Sequence, residues 1–316
     1  MAERIWITGA HGFIGRHLAQ ALGAAGHAVA GIGHGAWPAA AAALWGVGHW
    51  LNGDLSASNL NALRTLGGSP DVVMHLAGGS SVGAAIAQPK EDFARTVVST
   101  VELFEWLRQE SPQTRVIAVS SAAVYGAGHS GPIGEDATLT PYSPYGHHKL
   151  MMESLCRSYG ATYGVRSVVA RLFSVYGAGL RKQLLWDLCS QLEAGQAPLE
   201  LGGSGDELRD WTDVRDVVRA LALLPALADA QVPTLNLASG IATSVRAVAG
   251  QVMSAWQPAT PGCHLSFSGH SRRGDPFSLQ AEASRLSALG FEWQLPLNLG
   301  LADYVRWFQT RERERF

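Results

Sequence analysis

Ile5-Trp6-Ile7-Thr8-Gly9-Ala10-His11-Gly12-Phe13-Ile14-Gly15 is the stretch on which the reading of this chain turns. An apolar, strand-like run meets three glycines spaced Gly-x-x-Gly-x-x-Gly, and a helical pattern follows as far as Gly26. Glycines at such a turn allow positive φ and let the backbone approach a pyrophosphate. The free amides and positive dipole of the helix start attract its charge. The spacing departs from the general Gly-x-Gly-x-x-Gly fingerprint, and a lone glycine pattern would read as an ordinary tight turn. Its place directly after the first strand makes a dinucleotide the expected ligand of Gly9, His11, Gly12, Phe13, Ile14 and Gly15.

Working outward, short apolar runs recur with helical stretches between them: Ile5 to Thr8, His27 to Ile32, Asp71 to Leu76, Arg115 to Ser120 and Arg166 to Arg171. Strands alternating with helices predict an α/β, Rossmann-type, doubly wound parallel sheet, with ligands outside the carboxyl ends of the strands. After Leu172 the pattern loosens. A helical stretch, Gln183 to Ala194, precedes the turn Gly202-Gly203-Ser204-Gly205 and another helical stretch near Val214 to Leu227. The expected division is residues 1–172 for the nucleotide-binding domain with the catalytic residues. Residues 173–316 make a smaller C-terminal substrate-binding lobe, partly interleaved with the first because Thr234 to Ala238 and Leu299 to Gln309 suit either part.

Composition narrows the class. Charged residues are 16% of the 316, apolar residues 47%, and the formal net charge is -2, which offers no basic surface for nucleic acid. Cys156, Cys189 and Cys263 lie far apart with no C-x-x-C spacing, so neither a disulfide framework nor a zinc site is expected, and a reducing, cytoplasmic setting fits. The strand-like start leaves no room for an export signal, and Ala39 to Ala43, flanked by Pro38 and Gly46, falls well short of the roughly 18 apolar residues a membrane helix needs.

The carboxyl ends of the strands carry the chemistry. The second strand ends Ala30-Gly31-Ile32-Gly33-His34-Gly35, without the carboxylate that would bond the adenosine ribose and repel a 2′-phosphate. NADP(H) is therefore expected ahead of NAD(H), with His34 beside the phosphate, and Asp54-Leu55 after the third strand is a candidate adenine contact. The fifth strand delivers Ser120-Ser121-Ala122-Ala123-Val124-Tyr125-Gly126. Beyond it comes Ser143-Pro144-Tyr145-Gly146-His147-His148-Lys149, where Ser143 suits a helix cap and Pro144 the first helical position. Tyr145 and Lys149 then share one helix face. A phenol with an ordinary pKa of about 10 is a poor proton carrier near neutrality, and an ammonium one turn away favours its ionised form. Ser121 on the strand end can orient the substrate oxygen whose proton Tyr145 exchanges, and Lys149 can bridge the nicotinamide ribose.

Thr8-Gly9-x-x-Gly12-Phe13-Ile14-Gly15, His75-Leu76-Ala77, Ser120-Ser121-x-x-Val124-Tyr125-Gly126, Pro141-x-Ser143-Pro144-Tyr145-Gly146-x-x-Lys149, Arg171-Leu172-Phe173-Ser174-Val175-Tyr176-Gly177 and Arg209-Asp210-Trp211 follow one another in order. Together they resemble the extended short-chain dehydrogenase/reductase family, in particular its nucleotide-sugar epimerase/dehydratase branch, over nearly the whole chain. The resemblance implies Ser121, Tyr145 and Lys149 as the catalytic set and Leu76 and Ala77 as further cofactor contacts. It implies a nucleotide-diphosphate sugar held by Ser121, Ser174, Arg209, Arg272 and Asp275, with Arg273 an alternative to Arg272. It gives no ligand role to His147 or His148, so no metal is expected, and it implies a homodimer through the helix after Thr96 and the helix of Tyr145.

Two positions depart from the family pattern, because asparagine is usual where Ser174 and Thr96 stand. Members that perform 4,6-dehydration carry an Asp-Glu pair where this chain has Ala122 and Ala123, so dehydration is not expected. The remaining readings are an NDP-4-keto-sugar reductase, set ahead by the missing strand-two acid, an NDP-sugar 4-epimerase of the UDP-glucose 4-epimerase kind, and a non-catalytic NADPH sensor. The intact catalytic set argues against the last.

Overall fold

The computed structural model describes residues 2–258, 262–270 and 276–311. The chain forms two compact units: Met1–Gly126, Glu135–Leu172 and Val217–Leu237 make the first, and Ala127–Gly134, Phe173–Asp216 and Ala238–Phe316 the second.

In the first unit the alternating pattern becomes strands β1 (Arg4–Thr8), β2 (Ala28–Gly33), β3 (His49–Asn52), β4 (Val72–His75), β5 (Arg115–Ser121) and β6 (Ser167–Leu172). With Thr234–Leu237 they form one seven-stranded sheet in the order Thr234–Leu237, β6, β5, β4, β1, β2, β3, every neighbouring pair parallel. β4 and β6 are buried along their whole length, which is why they read as continuous apolar runs rather than alternating ones. The strand order reverses between β1 and β4, so the loops after these two strands diverge and leave a crevice at their carboxyl ends.

The helices are α1 (Phe13–Ala24), α2 (Ala39–Leu44), α3 (Ala57–Gly67), α4 (Val82–Ala87), α5 (Pro89–Phe93), α6 (Ser99–Glu110) and α7 (Pro144–Tyr163), with a π-helical turn, Ala94–Val98, joining α5 to α6. Leu60, Leu63, Leu103, Phe104, Leu107, Met152 and Cys156 from α3, α6 and α7 pack on Trp6, Ile32, Val73 and Val116 of the sheet. Each such side chain contributes about 1.5–3 kcal/mol on burial. Trp6 and Trp106 meet at 5.2 Å between centroids, and their indole N–H groups donate to the Gly68 carbonyl and Asn61 Oδ1. α7 begins as its sequence dictates, with Pro144 in the first turn and the Ser143 hydroxyl accepting from the Gly146 amide at 3.1 Å. It ends at Gly164, φ +71°.

In the second unit Leu208–Asp213 is the central strand, pairing with Ser174–Tyr176, Ala242–Ser244 and Ser278–Leu279, while Leu199–Leu201 pairs with Leu265–Phe267. Helices Gln183–Glu193, Val245–Ala255 and Leu297–Thr310 complete it. No helix among the described residues is long and apolar enough to cross a membrane.

Candidate active site

The glycine turn is shaped by backbone contact. Gly9 sits at φ +72°, its amide donating to the Ile32 carbonyl at 2.7 Å, and a Cβ there would lie 3.2 Å from the Ala77 amide nitrogen. A Cβ on Gly15 would lie 2.3 Å from the Gly9 carbonyl oxygen, so only glycine lets α1 start this close to β1. α1 carries no acidic residue in its first turn, and the amides of that turn have no intrahelical partner. The β1 turn and the end of β4 therefore meet at the topological switch point, bringing Gly9, Gly12, Phe13, Ile14 and Gly15 together with Leu76 and Ala77. A backbone cradle that any side chain would fill suits a dinucleotide pyrophosphate.

At the far end of this crevice His11 stacks on Trp37 at 4.6 Å and lies tilted against Trp50 at 5.7 Å, with its Nδ1 3.3 Å from the His34 carbonyl. Burial holds the His11 imidazole below its ordinary pKa, assisted by the Arg16 charge. His34 Nε2 lies 3.0 Å from the Asp54 carboxylate, both side chains exposed. Sequence reasoning took His34 and Asp54 separately, whereas the structure pairs them. Leu55 is buried in the core.

Ser121 ends β5, and its hydroxyl accepts from the Ala123 amide at 3.2 Å and lies close enough to the Tyr145 phenol to act on its titration. Lys149, 3% exposed, donates from Nζ to the Val119 carbonyl at 2.9 Å, with Nζ 6.0 Å from the Tyr145 ring centre. The three residues expected to act together are thus in one place. Their electrostatics differ from the expectation. Burial raises the Tyr145 phenol above its ordinary value, the Ser121 hydroxyl opposes the rise, and the Asp92 charge adds to it. Burial likewise pushes the Lys149 ammonium down to about 8, against the pull of Asp92 and Glu153. The expected lowering of the phenol by Lys149 is therefore corrected: burial outweighs the one opposing influence, that of Ser121, and the ammonium is bonded to a backbone carbonyl.

Several residues around this set were given no contacts by the sequence, although His75, Thr96 and His148 were visible in it. His75 is fully buried; its Nδ1 is 2.9 Å from Thr8 Oγ1 and its Nε2 3.0 Å from Thr100 Oγ1. Thr100 donates to the Thr96 carbonyl and Thr8 accepts from the Ala77 amide, which assigns the proton to Nε2. Burial first, and the Lys149 charge second, lower the imidazole to about 3, so it is neutral and ties β4 to the loop holding Leu76 and Ala77. Thr96 accepts from the Gly79 amide at 2.8 Å. Its neighbour Asp92, 6% exposed, accepts from His148 Nδ1 at 2.5 Å. A histidine directly before the lysine was a visible signal, but its partner lies 56 residues away.

Of the predicted substrate residues, Ser174 and Arg209 belong to the second unit. Ser174 pairs with Trp211, and Arg209 donates to the Leu208 and Phe277 carbonyls at 2.8 and 3.3 Å. Asp210 is engaged by Ser239 and Gly240, and Asp213 by Arg215. Arg272, Arg273 and Asp275 lie outside the described residues. Ala122 and Ala123 form a single 3₁₀ turn after Ser121.

A seven-stranded parallel sheet with a glycine turn at its switch point, and with Ser121, Tyr145 and Lys149 gathered at and beyond the end of β5, is the α/β fold of the extended short-chain dehydrogenase/reductase type. The chain belongs to the NAD dependent epimerase/dehydratase family, whose model matches residues 5–238. It is 30% identical to a UDP-glucose 4-epimerase of Azospirillum brasilense over 306 residues, 90% of this chain and 85% of that one. It is 31% identical to a GDP-6-deoxy-D-mannose reductase of Pseudomonas aeruginosa, covering 78% of each chain. Among solved structures, MoeE5 in complex with UDP-glucuronic acid and NAD superposes with a TM-score of 0.83 at 31% identity, over 97% of this chain and 99% of the other.

Proposed function

We propose that this protein is an NDP-sugar 4-epimerase that oxidises and re-reduces C4 of a UDP-linked hexose on a retained NAD. The observation that carries the reading is the Ser121, Tyr145, Lys149 assembly followed by Ala122 and Ala123, which supplies a carrier for one hydroxyl proton and no carboxylate for protons on neighbouring carbons. The names of the relatives support C4 chemistry on UDP sugars, and the MoeE5 complex with NAD supports that cofactor.

Gly9, Gly12, Phe13, Ile14 and Gly15 would hold the pyrophosphate, Leu76 and Ala77 the middle of the cofactor, and Lys149 the nicotinamide ribose. The bound nicotinamide supplies a place for the C4 hydride to go and return from. Tyr145 takes the C4 hydroxyl proton as the ketone forms and gives it back as the ketone is reduced. Ser121 hydrogen-bonds the same oxygen and, by acting to lower the phenol, favours the ionised form of Tyr145 that accepts the proton. Ser174 and Arg209 of the second unit are proposed to contact the sugar and the diphosphate. Val98 and Val101, beside and on α6, and Met151 on α7 are exposed apolar side chains, which supports a homodimer through these helices; a dimeric mass by light scattering is expected.

An NDP-4-keto-sugar reductase is the second reading, favoured by the absence of a carboxylate at Gly33-His34-Gly35 and by the Pseudomonas relative. The Asp54 carboxylate beside His34 weighs the other way, since it would meet a 2′-phosphate with like charge. Purified protein, denatured and analysed by mass spectrometry, separates the two. Near-stoichiometric NAD, with interconversion of UDP-hexoses needing no added cofactor, is expected. Empty protein that consumes NADPH with a 4-keto sugar would replace the epimerase by the reductase. In either case Tyr145→Phe is expected to lower kcat by about 10²–10⁴-fold while leaving cofactor binding intact. Turnover that survives this change would overturn the catalytic reading.

A further inference from the structure

The short helix α5 sends a carboxylate into the catalytic region from outside the serine, tyrosine and lysine set. Asp92 is 6% exposed, and one of its oxygens accepts from His148 Nδ1 at 2.5 Å. His148 stands three residues after Tyr145 and directly before Lys149, so the pair links α5 to the reactive face of α7. Phe93, next in sequence, packs its ring edge-on against the His148 imidazole at 5.4 Å, fixing the histidine from the same helix.

The other carboxylate oxygen of Asp92 lies against Gly79 so closely that a Cβ there would come within 1.6 Å of it. At the preceding residue, Gly78, a Cβ would lie 3.1 Å from Lys149 Nζ and 3.2 Å from Thr96 Oγ1. Two consecutive glycines of the loop after β4 therefore touch the carboxylate and the ammonium in turn. Thr96, one helical turn beyond Asp92, holds that loop through the Gly79 amide. Any side chain at 79 would displace the carboxylate, so Gly78-Gly79 leaves room for the Asp92 carboxylate on one residue and borders the Lys149 ammonium with the next.

We propose that Asp92, anchored by His148, is a positioning residue whose carboxylate is the counter-charge to the Lys149 ammonium and so governs proton transfer at Lys149 and Tyr145 together. The inference rests on the catalytic reading of those two residues. Around Lys149 the titratable groups are Asp92 of α5, His75 of β4, and Tyr145, Glu153 and Cys156 of α7 itself. His75 is neutral, the Cys156 thiol is pushed up to about 12 by burial, and Glu153 is committed to Arg171 and Ser120. Asp92 is then the larger of the two carboxylate charges acting on Lys149, and the one not held by an arginine. A negative charge there favours the protonated form of both Lys149 and Tyr145, so its removal moves both titrations in the same direction, to lower pH.

The sequence makes the test direct, because the chain has three lysines, Lys90, Lys149 and Lys182. In protein labelled with ¹³Cε-lysine, the Lys149 signal is the one lost in Lys149→Met, and its shift is followed against pH without substrate or turnover. Asp92→Asn, which keeps size and a hydrogen-bonding group for His148, is expected to lower the Lys149 midpoint by roughly one pH unit or more, a tenfold or greater loss of proton affinity. His148→Asn, which keeps a donor for the carboxylate, is expected to hold the midpoint near wild type. Should Asp92→Asn not fold, Asp92→Ser is the smaller neutral replacement with the same expectation. A wild-type Lys149 midpoint in either folded neutral variant overturns the proposal.

In turnover, both limbs of the kcat/KM profile of Asp92→Asn are expected to move acidward. A uniform loss of kcat with unmoved limbs would assign Asp92 a merely structural role and overturn the proposal from a second side. Failure of the underlying reading looks different: it would appear as turnover surviving Tyr145→Phe, whatever the Lys149 titration does.

Discussion

α7 carries two buried charges in successive turns, and they are treated in opposite ways. Glu153 and Arg171 form a closed network. The guanidinium gives Nε and one terminal nitrogen to the carboxylate at 2.9 and 2.7 Å, and the other to the Tyr125 hydroxyl and the Glu135 carbonyl at 2.9 Å each. Ser120 donates to the same carboxylate at 2.7 Å, and Tyr125 passes its own proton to Asn236 Oδ1. Burial works against Glu153, but the hydrogen bonds from Arg171 and Ser120 outweigh it and hold the carboxyl below its ordinary value. One turn earlier, Lys149 has a backbone carbonyl and a nearby carboxylate, and burial brings it to about 8. Saturated hydrogen bonding fixes protons; partial compensation in the same low dielectric leaves a group able to exchange them.

The comparison breaks first, if it breaks, at the closed network. Glu153→Ala leaves a guanidinium that is 1% exposed without its counter-charge, and such removals cost about 3–5 kcal/mol. Urea unfolding followed at neutral pH is expected to show that loss, with the amides of β6 and α7 exchanging faster. A cost near that of an exposed substitution, below about 0.5 kcal/mol, would mean the network is not what holds β6 to α7.

A somewhat smaller effect distinguishes Lys149 by its pH dependence. Its folded value of about 8 lies below the ordinary 10.5, so between these limits the unfolded chain binds more protons than the folded one. Stability must then rise with pH across that window: the cost of burying the ammonium is fully present below pH 8 and is relieved as the pH climbs toward 10.5. At about 1.4 kcal/mol per pH unit the gain reaches up to about 3 kcal/mol. Unfolding midpoints of wild type, compared with Lys149→Met at pH 7.5 and 10, are expected to converge or cross in favour of wild type at the higher pH. A parallel pair of curves would place Lys149 in the same closed category as Arg171.

Much of this architecture was legible before any coordinates. The glycine turn, the apolar runs of β1, β2, β4, β5 and β6, and the Ser143-Pro144 start of α7 are encoded within a few residues, where steric rules and hydrogen-bond periodicity act. The spacing of Tyr145 and Lys149 is encoded the same way. What was not legible depends on groups brought together from far apart. Arg171 looked like the polar end of a strand, yet its carboxylate partner comes from α7 and its carbonyl partner from Glu135. Asp92 stands in the charged run Lys90-Glu91-Asp92, where nothing local distinguishes the buried carboxylate from its neighbours, and the π-helical turn that follows α5 is not signalled by any local pattern. The direction of the Tyr145 shift was misjudged for a related reason: adjacency to a cation is visible in sequence, but the depth of burial that overrides it is not.

The smallest expected effects give the sharpest separation, because two consecutive serines on β5 serve the two clusters. Ser120 is buried and donates to Glu153; Ser121 caps the Ala123 amide and lies beside Tyr145, whose phenol it acts to hold down. Ser120→Ala removes a hydrogen bond to a charged, fully buried carboxylate and is expected to cost about 1.5–3 kcal/mol in stability with kcat nearly unchanged. Ser121→Ala removes the cap on the Ala123 amide, so about 1 kcal/mol of stability is expected to go. Its kcat should fall on the order of tenfold, since about 1.4 kcal/mol of lost stabilisation of the reacting oxygen corresponds to that factor. The two substitutions delete the same atom one residue apart, so their contrast does not depend on volume or strand propensity. If both variants lose stability alike and turnover alike, the clusters are one cooperative unit and the division along α7 does not hold.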